Sequence, residues 1–127
     1  MITKITTIAE VEGFAHQLVT EGLNGGFHPD DPFEDYVNAA GKPLYTSEEA
    51  AIRNILMEQC FKVCGDDVYE IVGRITFKGT PFESMFDENH EQKYNAFMES
   101  VEKGEKEYKP NGVISRSVIE VVKATYN

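Results

Sequence analysis

Basic residues are what this chain lacks: 12 Lys plus Arg stand against 22 Asp plus Glu among 127 residues, a formal net charge of -10. A surface so short of cations does not neutralise a phosphate backbone. Direct nucleic-acid binding is therefore not expected, which leaves cations, basic proteins or plain solubility as uses of the charge. Long apolar runs are missing as well. None exceeds three residues, as at Ile55 to Met57, whereas a bilayer crossing needs roughly 20. The opening segment, Met1 to Thr7, has neither the basic region nor the apolar stretch of a secretory signal, so a cytoplasmic location without membrane contact is expected.

Cysteine is scarce too, and tryptophan is absent. The two thiols, Cys60 and Cys64, lie four residues apart inside a helical pattern. That spacing puts them on one helix face, where they cannot staple a small secreted domain. C-x-x-x-C also lacks the second ligand pair of a structural zinc site, so two buried, reduced thiols are expected. There is no G-x-S-x-G elbow, no Gly-rich phosphate cradle and no H-E-x-x-H helix. No cofactor and no catalytic activity are expected from the motifs.

What is present suits one folded domain. With 41% hydrophobic and 11% aromatic residues, the chain carries too much apolar material for disorder. Its length allows roughly two thirds of the unfolded surface to be buried, so residues 1–127 are read as a single globular domain. Thr7 and Glu10 form a capping box, after which Ile8, Val11, Ala15 and Leu18 recur at helical spacing, predicting a helix over about 7–23. Gly13 inside it implies either a close neighbour or a helix carried by tertiary burial. Gly25-Gly26 follows as its stop. A second box, Thr46 with Glu49, opens the clearest helix, 47–64, with Ile52, Leu56, Cys60 and Val63 as its expected buried face and Gly65 as its stop.

The stretch 68–78 is ambiguous. Tyr69, Ile71, Gly73, Ile75 and Phe77 alternate like a strand, while Val68, Ile71, Val72 and Ile75 share a helical face; the second half leans towards strand. A third helix is expected over about 88–104 on the period of Tyr94, Phe97, Met98 and Val101. After a turn at Lys109 to Gly112, Ser117 and Glu120 offer a third capping box before a short final helix. The fold class is thus mainly α, about four helices around a central helix 47–64. The alternative is α+β, with a short strand pair of about 69–77 with 113–122.

The densest polar cluster is the Pro-rich loop His28 to Asp35. Interleaved Phe33 and Tyr36 would hold such a loop against the body, and binding groups often sit on loops fixed by a scaffold. Asp30, Asp31, Glu34 and Asp35, with Phe33 and Tyr36, are the candidate binding residues. The expected function is an acidic, non-catalytic accessory or protein-binding module acting on a partner with a basic surface, as a monomer or weak homodimer. The alternative is a metal-binding protein or small metal-dependent hydrolase, in which His28, Asp30 and Asp31 supply ligands to a cation, joined by His16 or His90 should the three histidines converge. The loop does not have the spacing of an EF-hand. A DNA-mimicking acidic surface is a further variant of the binding class.

Overall fold

The architecture follows from two amphipathic helices closing on each other over a set of aromatic rings. A computed structural model describes residues 2–23, 27–38 and 40–107, with the backbone of 114–115. The chain runs α1 (Ile8–Thr20), a 3-10 turn (Phe33–Asp35), β1 (Tyr36–Val37), α2 (Ser47–Cys64), α3 (Asp67–Thr76), α4 (His90–Glu102) and β2 (Ile114–Ser115). The molecule is mainly helical. Among the described residues no helix is long and apolar enough to cross a membrane.

Thr7 caps α1, its hydroxyl accepting from the Glu10 backbone N–H at 3.2 Å. The Glu10 carboxylate reaches one residue further back than a standard box and takes the Thr6 N–H at 2.9 Å. Val11, Phe14, Ala15 and Leu18 are buried at i, i+3, i+4 and i+7. They pack mainly on α3, whose inward face is Val68, Val72 and Thr76. Across Gly13 lies Ile2, whose Cδ1 would stand 3.3 Å from an added Cβ, so the interior glycine does mark a close approach. The N-terminal segment is strapped down by two glutamines: Gln17 Oε1 accepts from Ile2 N and Gln59 Oε1 from Ile5 N.

Both halves of the capping box at Thr46 and Glu49 are formed, and α2 has its expected bounds, ending at Gly65. Its inward face is Ala50, Arg53, Leu56, Met57 and Cys60. This corrects one expectation, because Ile52 is 38% exposed, and Val63 is only partly buried. The apolar stripe is rotated because Arg53, which periodicity assigns to water, points inward and is 5% exposed. Its charge is met there by Glu21.

A second correction concerns 68–78. The segment is helical, not a strand, so the pair 69–77 with 113–122 does not form. Intrinsic β preference of Val and Ile gives way to burial on one helical face against α1. Gly73 lets the Phe86 ring lie close on α3, since a Cβ there would sit 2.6 Å from Phe86 Cε2 and would push that ring aside. The strand that does form is minimal: β1 pairs antiparallel with β2, Tyr36 opposite Ser115 and Val37 opposite Ile114. The expected Gly25-Gly26 stop, the turn at 109–112 and the final helix beginning at Ser117 lie outside the described residues. Helix α4 buries none of its residues fully. Ion pairs join it to the rest, with Asp87 accepting from Arg74 of α3 at 3.3 Å and from Lys93 of α4 at 3.0 Å.

Candidate functional site

The loop 27–38 is built on rings. Phe27, Phe33 and Tyr36 meet with centroids 5.7 to 5.8 Å apart, and Phe33 also touches Phe14 and Tyr45. Phe33 is 1% and Tyr36 0% exposed. As binding candidates these two side chains are therefore anchors inside the core, and of the six candidates the four acids are the ones that can meet a partner. The backbone is fixed as firmly. Phe33 N donates to Asn54 Oδ1 at 3.0 Å, and the same Asn54 amide donates to Glu34. Tyr36 accepts from His28 N at 3.0 Å and donates to His28 O at 3.1 Å, closing the loop on itself. Burial pushes the Tyr36 phenol well above its ordinary pKa, and the nearby Asp31 and Asp35 charges add to that.

Outside the ring cluster, Asp30 and Glu34 are exposed, and Asp31 and Asp35 are half-buried. Asp30 is oriented by Tyr69 of α3, whose hydroxyl donates to it at 2.7 Å. An open groove of about 400 Å3 runs between the loop residues Pro29 to Pro32 and one face of α2, formed by Asn54, Met57, Glu58 and Phe61. Among the described residues its lining offers three carboxylates, Asp30, Asp31 and Glu58, and no basic side chain. The prolines, Met57 and Phe61 supply its apolar surface. Such a groove is suited to a cationic side chain with an aliphatic stem, because Lys and Arg bury their methylenes along apolar surface while keeping the charged head near carboxylates.

Metal coordination finds less material. His28 Nδ1 accepts the Asp30 backbone N–H at 3.1 Å, and its ring lies against Tyr69. His16 is exposed on α1, while His90 pairs through Nδ1 with the Ser84 hydroxyl at 2.9 Å. Among the described residues no three His, Cys, Asp or Glu side chains gather in an arrangement able to hold a metal ion.

Two polar clusters escaped the sequence reading. In the first, Glu21 accepts from Arg53 at 2.6 and 2.9 Å, from Tyr45 at 2.8 Å and from Gln17 at 3.2 Å. Burial alone would raise the Glu21 carboxyl, but the Arg53, Tyr45 and Gln17 donors outweigh it and hold the group below its ordinary value. The Arg53 guanidinium also stacks 4.4 Å from the Tyr45 ring centroid. A signal was available. Glu21 is the C-cap residue of α1, where a carboxylate opposes the helix macrodipole and needs a cation close by. The second cluster lies between α3 and α4, where Asp87 accepts from Arg74 at 3.3 Å and from Lys93 at 3.0 Å. The two thiols sit apart from both clusters, on α2. Cys60 is buried and its thiol is pushed up to about 12 by desolvation, while Cys64 is half-buried and donates to Cys60 O. Neither is poised as a nucleophile.

Comparison of the chain with protein-family models, curated proteins and solved structures gives no match.

Proposed function

We infer that the protein is a non-catalytic binding module that presents the groove between loop 27–38 and α2 to a basic segment of a partner protein. The observation that carries this reading is the groove's composition, three carboxylates over an apolar floor with no cation among the described lining residues. In a chain of net charge -10, long-range attraction adds to the contact by steering a basic partner towards the surface. The loop is held by Phe27, Phe33 and Tyr36 before any partner arrives, so little ordering entropy is lost on binding. Asp31 and Glu58 line the groove from different elements, the loop and α2, so a guanidinium or ammonium bound there has carboxylates from both within the same groove. Two free thiols suit a reducing compartment such as the cytoplasm. We place the module there as a monomer or weak homodimer.

The test is binding of fluorescein-labelled peptides that carry several Lys and Arg residues, followed by anisotropy. Asp30→Asn, Asp31→Asn and Glu58→Gln combined should weaken binding about tenfold or more at low salt, since each charged hydrogen bond contributes about 1.5–3 kcal/mol. Binding should also weaken as salt rises. Equal affinity of the unmodified and substituted proteins would reduce these acids to solubilising charge.

A further inference from the structure

Cations are scarce in this chain, yet four of its 12 line one cleft. The cleft, of about 490 Å3, lies between the end of α3, the turn that follows it and the inner side of α4. Its size falls in the range of ordinary small-molecule sites. Among the described residues Arg74, Lys78, Lys93 and Lys106 line it with two acids, Glu83 and Asp87, and Glu70, beside the lining, engages Arg74 at 2.8 and 3.0 Å. Elsewhere the acids outnumber the cations, so this is an inversion of the molecule's overall charge. Both lining acids are occupied. Asp87 accepts from Arg74 and Lys93 and thereby fixes the two side chains in place. Glu83 Oε2 accepts from the Gly79 backbone N–H at 3.0 Å.

Lys78 makes no ion pair among the described residues, and Lys106 Nζ stands 4.9 Å from the centroid of the Phe97 ring. Positive charge therefore remains at the cleft after its internal pairs are formed. The other walls divide into a polar and an apolar part. Ser100 donates to Ala96 O and keeps an acceptor, while the Ser84 hydroxyl is engaged with His90. Pro81, Ala96 and Phe97 form an apolar side.

We propose that this cleft is a binding site for a small organic phosphate, the dianionic head meeting Lys78 and Lys106 and the organic body lying on Phe97 and Pro81. A dianion is the match for a cleft with more cations than its own acids can neutralise, since ammonium and guanidinium groups give their strongest hydrogen bonds to oxyanions. The apolar wall selects an ester over the free ion. This site is separate in residues and in charge from the acidic groove, and either can fail without the other.

The experiment is calorimetric titration of the whole chain at low salt with phenyl phosphate, inorganic phosphate and succinate. Phenyl phosphate should bind at one saturable site, more tightly than inorganic phosphate, and lose affinity as salt rises. Lys78→Glu should raise its Kd about tenfold or more. Lys62→Glu makes the same charge change on α2, outside the cleft, and should alter Kd by less than about threefold because a distant exposed charge is screened. Lys106→Glu is the second cleft variant and should weaken binding in the same direction, with circular dichroism showing all three variants folded. Absence of saturable binding by the unmodified protein up to about 10 mM phenyl phosphate would overturn the site. So would equal loss in the Lys78 and Lys62 variants. Tighter binding of succinate than of either phosphate would overturn the ligand class.

Discussion

Replacing Arg53 by Met leaves the Glu21 carboxylate in place with its principal partner gone. The guanidinium is held by two bonds to Glu21, 2.6 and 2.9 Å, and by a third to Glu49 O at 2.9 Å. Removing one member of a buried pair costs about 3–5 kcal/mol, because the other charge stays desolvated and unpaired. Glu21 keeps 21% of its side-chain exposure and the Tyr45 and Gln17 donors. The lower end, about 3 kcal/mol, is therefore expected. Adding Glu21→Gln to Arg53→Met should recover much of that loss, with a coupling energy of about 2 kcal/mol. The pH dependence carries a sign. Glu21 is depressed in the native protein, so its contribution is complete above the unfolded-state pKa and is lost as pH falls through the folded one. In the Arg53→Met protein burial acts without the cation and raises the carboxyl, so the variant gains a proton as pH falls. Its deficit relative to the unmodified protein should shrink between about pH 6 and pH 4. Urea unfolding followed by circular dichroism measures this. A deficit under about 1 kcal/mol, the range of exposed pairs, or one independent of pH would refute the buried-pair account.

Leu56→Ala should cost about 2–5 kcal/mol in the same urea assay, because Leu56 is among the fully enclosed side chains of α2; a loss under about 0.5 kcal/mol would mean that the inward face of α2 is misassigned. Thiol labelling of the native protein should be slow at Cys60, whose thiol is buried and pushed up to about 12, and faster at half-buried Cys64. Both should react at once in denaturant, and rapid labelling of both in the native state would contradict their burial.

The elements legible in the sequence were those specified by their own residues. Thr46, Glu49 and Gly65 mark the ends of α2 through local hydrogen bonds and backbone geometry, and its bounds follow from them. The aromatic loop was legible because Phe27, Phe33 and Tyr36 are too apolar for water, and they are buried. Long-range partners were not legible. Arg53 turns inward only because Glu21 lies 32 positions away in the chain, and that pair rotates α2 so that Ile52 faces out. Residues 67–76 carry both periodicities, and contact with α1 decides for the helix. The groove joins Asp30 and Asp31 to Glu58 across the loop and α2, and the cationic cleft joins Lys78 to Lys106. Neither has a spacing that a linear pattern could reveal.

The acidic groove is tested most directly by titrating isotope-labelled protein with a short Arg- and Lys-bearing peptide and recording amide chemical shifts. The largest changes should fall at Asp30, Asp31, Asn54, Glu58 and Phe61, saturate with peptide and diminish with salt. Lys78 and Lys93, in the oppositely charged cleft, should move little. Changes spread evenly over the exposed acids of α4, such as Glu91, Glu99 and Glu102, would show diffuse charge attraction and contradict a dedicated site.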